Sequence, residues 1–168
     1  MKLTEIETGS KVFVDSNIFI YHFTGASDEC SNFLERCERG KLHATTTVSV
    51  VREVLHCLMI VEATRNDLVQ PPDVADKLRK SPQTVKFLNE YFINTEKIQY
   101  MNIAIKPVLF DTIINSHVVR LSSGLMINDS IIVAGMKQER INLLATGNRS
   151  FEQVNEIQIC TPQDIKLS

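Results

Sequence analysis

Short apolar runs alternate along this chain with longer stretches in which apolar residues recur every three or four positions, the pattern of strands alternating with helices. Val12-Phe13-Val14 is the first run, and Asp15-Ser16-Asn17 closes it, so a buried strand ending in a polar turn is expected there. Residues 27–39 carry Cys30, Phe33, Leu34 and Cys37 at helical spacing with Gly40 just beyond, which predicts an amphipathic helix stopped by glycine. A short strand is expected over residues 42–46. Thr47 is placed to cap a long helix reaching about residue 63, in which Val50, Val51, Val54, Leu55, Leu58, Met59 and Val61 leave little of the circumference polar. Such a helix is expected to be covered on more than one side.

The pattern then loosens. Between residues 64 and 96, Asn66, Asp67, Pro71, Pro72, Ser81 and Pro82 punctuate two short helical stretches, 73–79 and 83–92, which read as an appended helical arm. Residues 98–103 return to a strand-like pattern, Pro107 fits the first turn of a helix reaching residue 121, and Asp129 opens a further helix ending near residue 140. Strands are expected over 141–146 and 156–160. This order predicts an α/β fold, a three-layer sandwich with a mainly parallel central sheet of about five strands. No repeat, low-complexity tract or long linker divides the sequence, so residues 1–168 read as one domain with a helical insertion at about 64–96.

Composition narrows the function. With 168 residues, 43% hydrophobic and 23% charged, the chain has the make-up of a soluble globular protein. A net charge of −2 excludes a surface that is basic throughout, so any contact with nucleic acid must be local. No stretch has the apolar length of a signal peptide core or a membrane span, and the protein reads as cytoplasmic, with no membrane partner. Cys30, Cys37, Cys57 and Cys160 form no Cys-x-x-Cys pair and read as small buried hydrophobes; Cys30 and Cys37 lie about 10 Å apart along one helix face, too far for a disulfide.

Three acids stand at element ends or on the apolar helix instead of in charge runs: Asp15, Glu53 and Asp129. Carboxylates gathered from distant segments are the usual means of holding a hard divalent cation. Each acid also has a structural reading: Asp15 as a turn-former, Asp129 as a helix N-cap, and Glu53 as part of a solvated stripe with Ser49, Arg52 and His56. Glu53-x-x-His56 matches the spacing of di-iron bundles, but none of His22, His43 and His117 supplies the second pair that such a site needs, so His56 reads as structural or solvent-facing. Nucleophile elbows, phosphate loops and dinucleotide-binding glycine turns are absent.

Taken together, the segments resemble the PIN-domain family, which includes the VapC-like ribonucleases of toxin-antitoxin pairs. Val12-Phe13-Val14-Asp15-Ser16-Asn17 looks like its first strand with acid, small hydroxyl residue and Asn. Residues 47–56 with Arg52-Glu53-Val54 look like its second acidic segment, Asn128-Asp129-Ser130-Ile131-Ile132-Val133-Ala134 its third, and Leu143-Leu144-Ala145-Thr146-Gly147-Asn148-Arg149-Ser150-Phe151 its fourth. The resemblance implies that Asp15, Glu53 and Asp129 meet at the sheet's carboxyl edge to hold Mg²⁺ or Mn²⁺ for RNA phosphodiester hydrolysis. It also implies supporting roles for Ser16, Asn17, Thr146 and Asn148.

The fourth segment departs from the family pattern. Where relatives usually carry an aspartate after the Thr, and often another before the Phe, this chain has Asn148 and Ser150. Three outcomes follow: a one-metal enzyme, an enzyme in which Glu152 substitutes, or an inactive PIN module that binds RNA or a protein partner. With three acids intact, a nuclease of weakened metal affinity is the favoured expectation. Implied partners are RNA and an antitoxin or other protein. The arm, with Leu78, Val85, Phe87, Leu88, Tyr91 and Phe92, offers either a homodimer surface or a helical pair packed on its own domain. Its basic Lys77, Arg79, Lys80 and Lys86 read as a solvated face before they read as an RNA contact.

Overall fold

The computed structural model describes residues 1–166. The chain runs β1 (Lys11–Val14), α1 (Ser16–Thr24), α2 (Asp28–Glu38), β2 (His43–Thr47), α3 (Val48–Arg65), α4 (Val74–Arg79), α5 (Pro82–Phe87), α6 (Glu90–Glu96), β3 (Ala104–Lys106), α7 (Phe110–Ser123), α8 (Ile127–Glu139), β4 (Leu143–Ala145) and β5 (Gln158–Cys160). Single 3-10 turns occupy Leu3–Glu5, Lys97–Tyr100 and Arg149–Gln153.

Val12, Phe13 and Val14 expose no surface because β1 lies at the centre of the sheet, covered on both faces as parallel strands are. Burial of each such side chain contributes roughly 1.5–3 kcal/mol. The strand order is β3-β2-β1-β4-β5 and every pairing is parallel, with Val12 beside Ala44 on one side and Leu143 on the other. Helices flank this sheet, giving the expected α/β sandwich with five strands. The direction of strand addition reverses between β1 and β4. Their carboxyl ends therefore flank a crevice, the usual ligand position in such sheets.

Several elements differ from expectation. The polar turn after β1 is the start of α1, with Asp15 as N-cap accepting from the Ser16 backbone N–H at 2.7 Å. Residues 98–103 hold a 3-10 turn, and the strand follows at Ala104–Lys106, because Ile98, Met101 and Ile103 all bury into the core in a non-alternating pattern. Pro107 lies in the connection, and α7 begins three residues later at Phe110. Asp129 does not cap α8, whose N-cap is Met126; it stands in the first helical turn.

The arm divides into three helices, not two, with the extra break at Leu88-Asn89. Leu78, Val69 and Leu88 bury against Ala63 of α3 in a small second cluster that Val85 and Tyr91 partly cover. The carboxylate of Glu62, on α3, accepts from the backbone N–H groups of Asn89 and Tyr91 at 2.9 and 2.8 Å and ties α6 down. Phe87 and Phe92 remain outside, 80% and 51% exposed. Cys30, Cys37 and Cys160 are buried and Cys57 is half-buried, all as free thiols. Among the described residues no single helix is long and apolar enough to cross a membrane.

Candidate functional site

Asp15 follows the last residue of β1 and is buried, yet its carboxylate is well supplied with donors. Oδ1 accepts from the Ser16 N–H at 2.7 Å and from the Ser16 hydroxyl at 3.4 Å. Oδ2 accepts from Thr146 Oγ1 at 2.6 Å and from Asn17 Nδ2 at 2.8 Å. Thr146 directly follows β4, the strand beside β1, so the parallel pairing itself sets this side chain against Asp15. Burial nonetheless raises the Asp15 pKa above the ordinary carboxylate value; the Thr146 and Ser16 hydrogen bonds oppose the rise, and the charge of Asp129 adds to it.

Glu53 comes from the second turn of α3, half-buried beside the fully buried Val50 and Val54. Its pKa is also raised, first by desolvation and then by the charge of Asp15, with a smaller contribution from Asp129; the Ser16 hydroxyl and Arg52 pull the other way. A small cleft between α3 and α8 is lined by Ser49, Arg52, Glu53, Asn128, Ile131 and Ile132, which brings Glu53 next to the turn carrying Asp129. Asp15 and Glu53 thus both feel the charge of Asp129, and Glu53 that of Asp15. His56, three residues along α3 from Glu53, is exposed, the solvent-facing one of its two expected readings.

Asp129 is held from the loop after β4. Its Oδ2 accepts from Ser150 Oγ at 2.9 Å and from Asn148 Nδ2 at 3.3 Å. Asn148 Oδ1 in turn accepts from the Ser150 N–H at 2.9 Å, capping the 3-10 turn that follows, and the Asn148 N–H donates to Thr146 Oγ1 at 2.9 Å. Asn17 closes the other side by accepting from the Gly147 N–H at 2.8 Å. Gly147 sits close to the Tyr21 ring: a Cβ would stand 3.0 Å from Tyr21 Cε2 and 3.3 Å from its Oη, so the ring would have to give way to admit it.

Asp15, Ser16, Asn17, Thr146, Asn148 and Asp129 therefore form one hydrogen-bonded array, with Glu53 coupled to it through charge. The donor role of Ser150 and the part played by Tyr21 were not foreseen. The sequence marks Ser150 only as a place where an acid is missing, and Tyr21 acts through proximity to Gly147 across distant segments. Glu152 is exposed and takes no part in the array.

Among the described residues no salt bridge involves Asp15, Glu53 or Asp129. Three carboxylates brought into one region without a salt bridge suit a hard divalent cation in charge and in donor type. They do not form a closed ligand set as they stand: no three described His, Cys, Asp or Glu side chains are near enough together to grip one ion. The wider hollows of the surface lie elsewhere, one at the amino edge of the sheet beside Lys11, His43 and Asn102, the other between α1 and α3 beside Tyr21, Ile60 and Ile165. Neither contains such a concentration of acids.

The fold and the sequence have known counterparts. A chain of the VapBC2 complex from Rickettsia felis, solved with a DNA fragment from its promoter, superposes with a TM-score of 0.57 at 16% identity, over 91% of this chain and 99% of that one. A chain of a toxin-antitoxin complex from Klebsiella pneumoniae gives 0.54 at 18% identity, over 92% and 99%. VapC20 from Mycobacterium tuberculosis, a sarcin-ricin-loop-cleaving toxin, gives 0.57 at 10% identity, over 86% and 95%. At these identities the likeness is one of fold. No curated protein matches the sequence. The sequence profile of the PIN domain, however, matches residues 12–157, nearly the whole chain. The chain belongs to the PIN domain family.

Proposed function

We propose that this protein is a divalent-metal-dependent ribonuclease, cleaving RNA endonucleolytically and acting as the toxin of a toxin-antitoxin pair. The observation that carries the reading is that Asp15, Glu53 and Asp129, from three distant segments, come together at the carboxyl edge of the sheet closely enough for Asp15 and Glu53 to feel the charge of Asp129, with no salt bridge to any of them among the described residues. In this reading the whole chain works as one PIN-like domain, with residues 64–96 as a helical insertion.

Asp15, Glu53 and Asp129 would hold Mg²⁺ or Mn²⁺, and PIN domains are generally dependent on such ions. When bound, the cation supplies Lewis acidity that eases deprotonation of water and offsets charge on the phosphodiester. The chain's own groups prepare for it. Thr146, Asn17 and Ser16 keep the Asp15 oxygens in place; Asn148 and Ser150 do the same for Asp129. Such supporting donors typically change metal affinity or activity about 10- to 100-fold when removed. An antitoxin as partner is proposed from the toxin-antitoxin relatives and from the family.

The second reading is a PIN module without activity that binds RNA or a protein. What favours it is that the acids are not closed into a ligand set and that Asn148 and Ser150 are uncharged. Incubation with structured and single-stranded RNA in Mn²⁺, in Mg²⁺ and in chelator separates the two. The ribonuclease reading expects cleavage that chelator stops and that Asp15→Asn reduces by at least about 100-fold. Cleavage indifferent to both changes, or none together with no uptake of Mn²⁺, would overturn it.

A further inference from the structure

We infer that Asn148 and Ser150 are positioning residues for Asp129, two neutral donors that secure one of its oxygens and fit the centre to a single divalent cation. This rests on the metal-dependent reading above and goes beyond it, because the two positions are those at which family members usually carry carboxylates. In this chain they are not vacated ligand positions. Asn148 Nδ2 and Ser150 Oγ both donate to the same oxygen, Asp129 Oδ2, at 3.3 and 2.9 Å.

The orientation of the Asn148 amide is set by its other end. Oδ1 accepts from the Ser150 N–H at 2.9 Å, so the amino group is the part turned to Asp129. An aspartate at 148 could accept from Ser150 but would have no hydrogen to give, and its charge would repel Asp129. The loop is fixed in turn by Thr146 Oγ1, which accepts from the Asn148 N–H at 2.9 Å and donates to Asp15 Oδ2 at 2.6 Å. Two acids on opposite sides of the crevice are thus joined through uncharged groups only.

Occupancy of the oxygens limits the ion number. A carboxylate that bridges two cations offers one oxygen to each. On Asp129, Oδ2 already accepts two hydrogen bonds, which leaves Oδ1 for a single cation. Three carboxylates in place of four or five also provide less charge to offset a second divalent ion.

The test is Mn²⁺ titration of the full chain by calorimetry and by electron paramagnetic resonance, independent of RNA cleavage. The wild-type chain is expected to take up one ion. Ser150→Ala and Asn148→Ala should each weaken Mn²⁺ binding by about tenfold, and Ser150→Thr, which keeps the hydroxyl, should restore it. Melting temperatures in chelator should change little for the Ser150 variants, which separates positioning from general loss of structure. Asn148→Asp should not tighten the first ion. Tighter binding of the first ion in Asn148→Asp, a second ion in the wild-type chain, or unchanged affinity in Ser150→Ala would overturn the inference while leaving the ribonuclease reading intact. A wild-type chain that takes up no Mn²⁺ would remove both.

Discussion

Thr146 donates a 2.6 Å hydrogen bond to Asp15 across 131 residues of sequence, joining the ends of two neighbouring parallel strands. Both residues are buried, so removing the donor leaves a charged acceptor short of a partner. Thr146→Val, nearly the same shape, is expected to destabilise the protein by roughly 1–3 kcal/mol. It should also raise the Asp15 pKa further, since this hydrogen bond is the largest influence lowering it. Thr146→Ser should recover most of the loss. Denaturant unfolding of the three proteins checks the series; equal stability for Val and Thr would show that the bond is not felt.

The raised pKa values of Asp15 and Glu53 have a sign that can be followed. For an acid whose folded pKa exceeds its unfolded value, the folded state holds the proton more firmly, so its contribution to stability is complete below the unfolded pKa and lost as pH rises through the folded one. In chelator, the ion-free protein should therefore be less stable at pH 7 than near the raised carboxylate values, as far as these two groups are concerned. Glu53→Gln should increase the melting temperature at pH 7 by roughly 1–4 °C and have little effect at pH 4. Mn²⁺ should reverse the balance, because it binds the deprotonated form: its affinity should decline on acidification from above the ordinary carboxylate range. A melting temperature in chelator that Glu53→Gln lowers equally at both pH values would contradict the charge argument.

A Cβ at Gly147 would press on the Tyr21 ring, and the loop it belongs to carries both Thr146 and Asn148. Gly147→Ala is expected to cost roughly 1–3 kcal/mol and to loosen the array around Asp15. Because the obstruction is one ring, Tyr21→Leu should relieve much of that cost in the double variant, a coupling that calorimetric unfolding of the four-member cycle measures. Strict additivity would place the strain elsewhere.

Legibility from sequence followed the range of the interactions involved. The parallel sheet, α2, α3 and the three acids were readable because each depends on local periodicity or on a polar residue ending an apolar run: Val12-Phe13-Val14 before Asp15, or Ser27 before Cys30, Phe33 and Leu34. Residues 98–103 were misread because Ile98, Met101 and Ile103 bury at a spacing that neither a strand nor a helix repeats. The chain from Ser16 to Thr24 carried its helix unseen, since its apolar Ile18, Phe19 and Ile20 are consecutive instead of spaced. In the site, residue type indicated Asn148 as a weaker substitute for an acid. Only the tertiary fold sets it and Ser150 against Asp129 as donors.

The arm was one expected surface for self-association, but the larger unpartnered apolar face belongs to α7. Its buried positions are Thr112, Ser116 and Val119, whereas Phe110, Ile114, Val118 and Leu121 point outward at 54–74% exposure, the reverse of an ordinary surface helix. With Leu109, Ile113, Met126 and Ile127, eight large apolar side chains are exposed on and beside this helix. At roughly 100 Å² apiece they amount to about 800 Å², one partner's share of a standard interface. Pairing with a second copy of the same face would cover apolar surface with apolar surface and needs no other component. The protein is therefore expected to be a dimer by light scattering at micromolar concentration. Val118→Asp and Leu121→Asp should each give a folded monomer, because a charge at these positions costs nothing in water but must be desolvated in the pair. Phe87→Asp, on the arm, should leave the dimer unchanged. A dimer that survives both α7 substitutions and dissociates with Phe87→Asp would move the interface to the arm, and a monomeric wild-type chain would leave the α7 face for a different protein to cover.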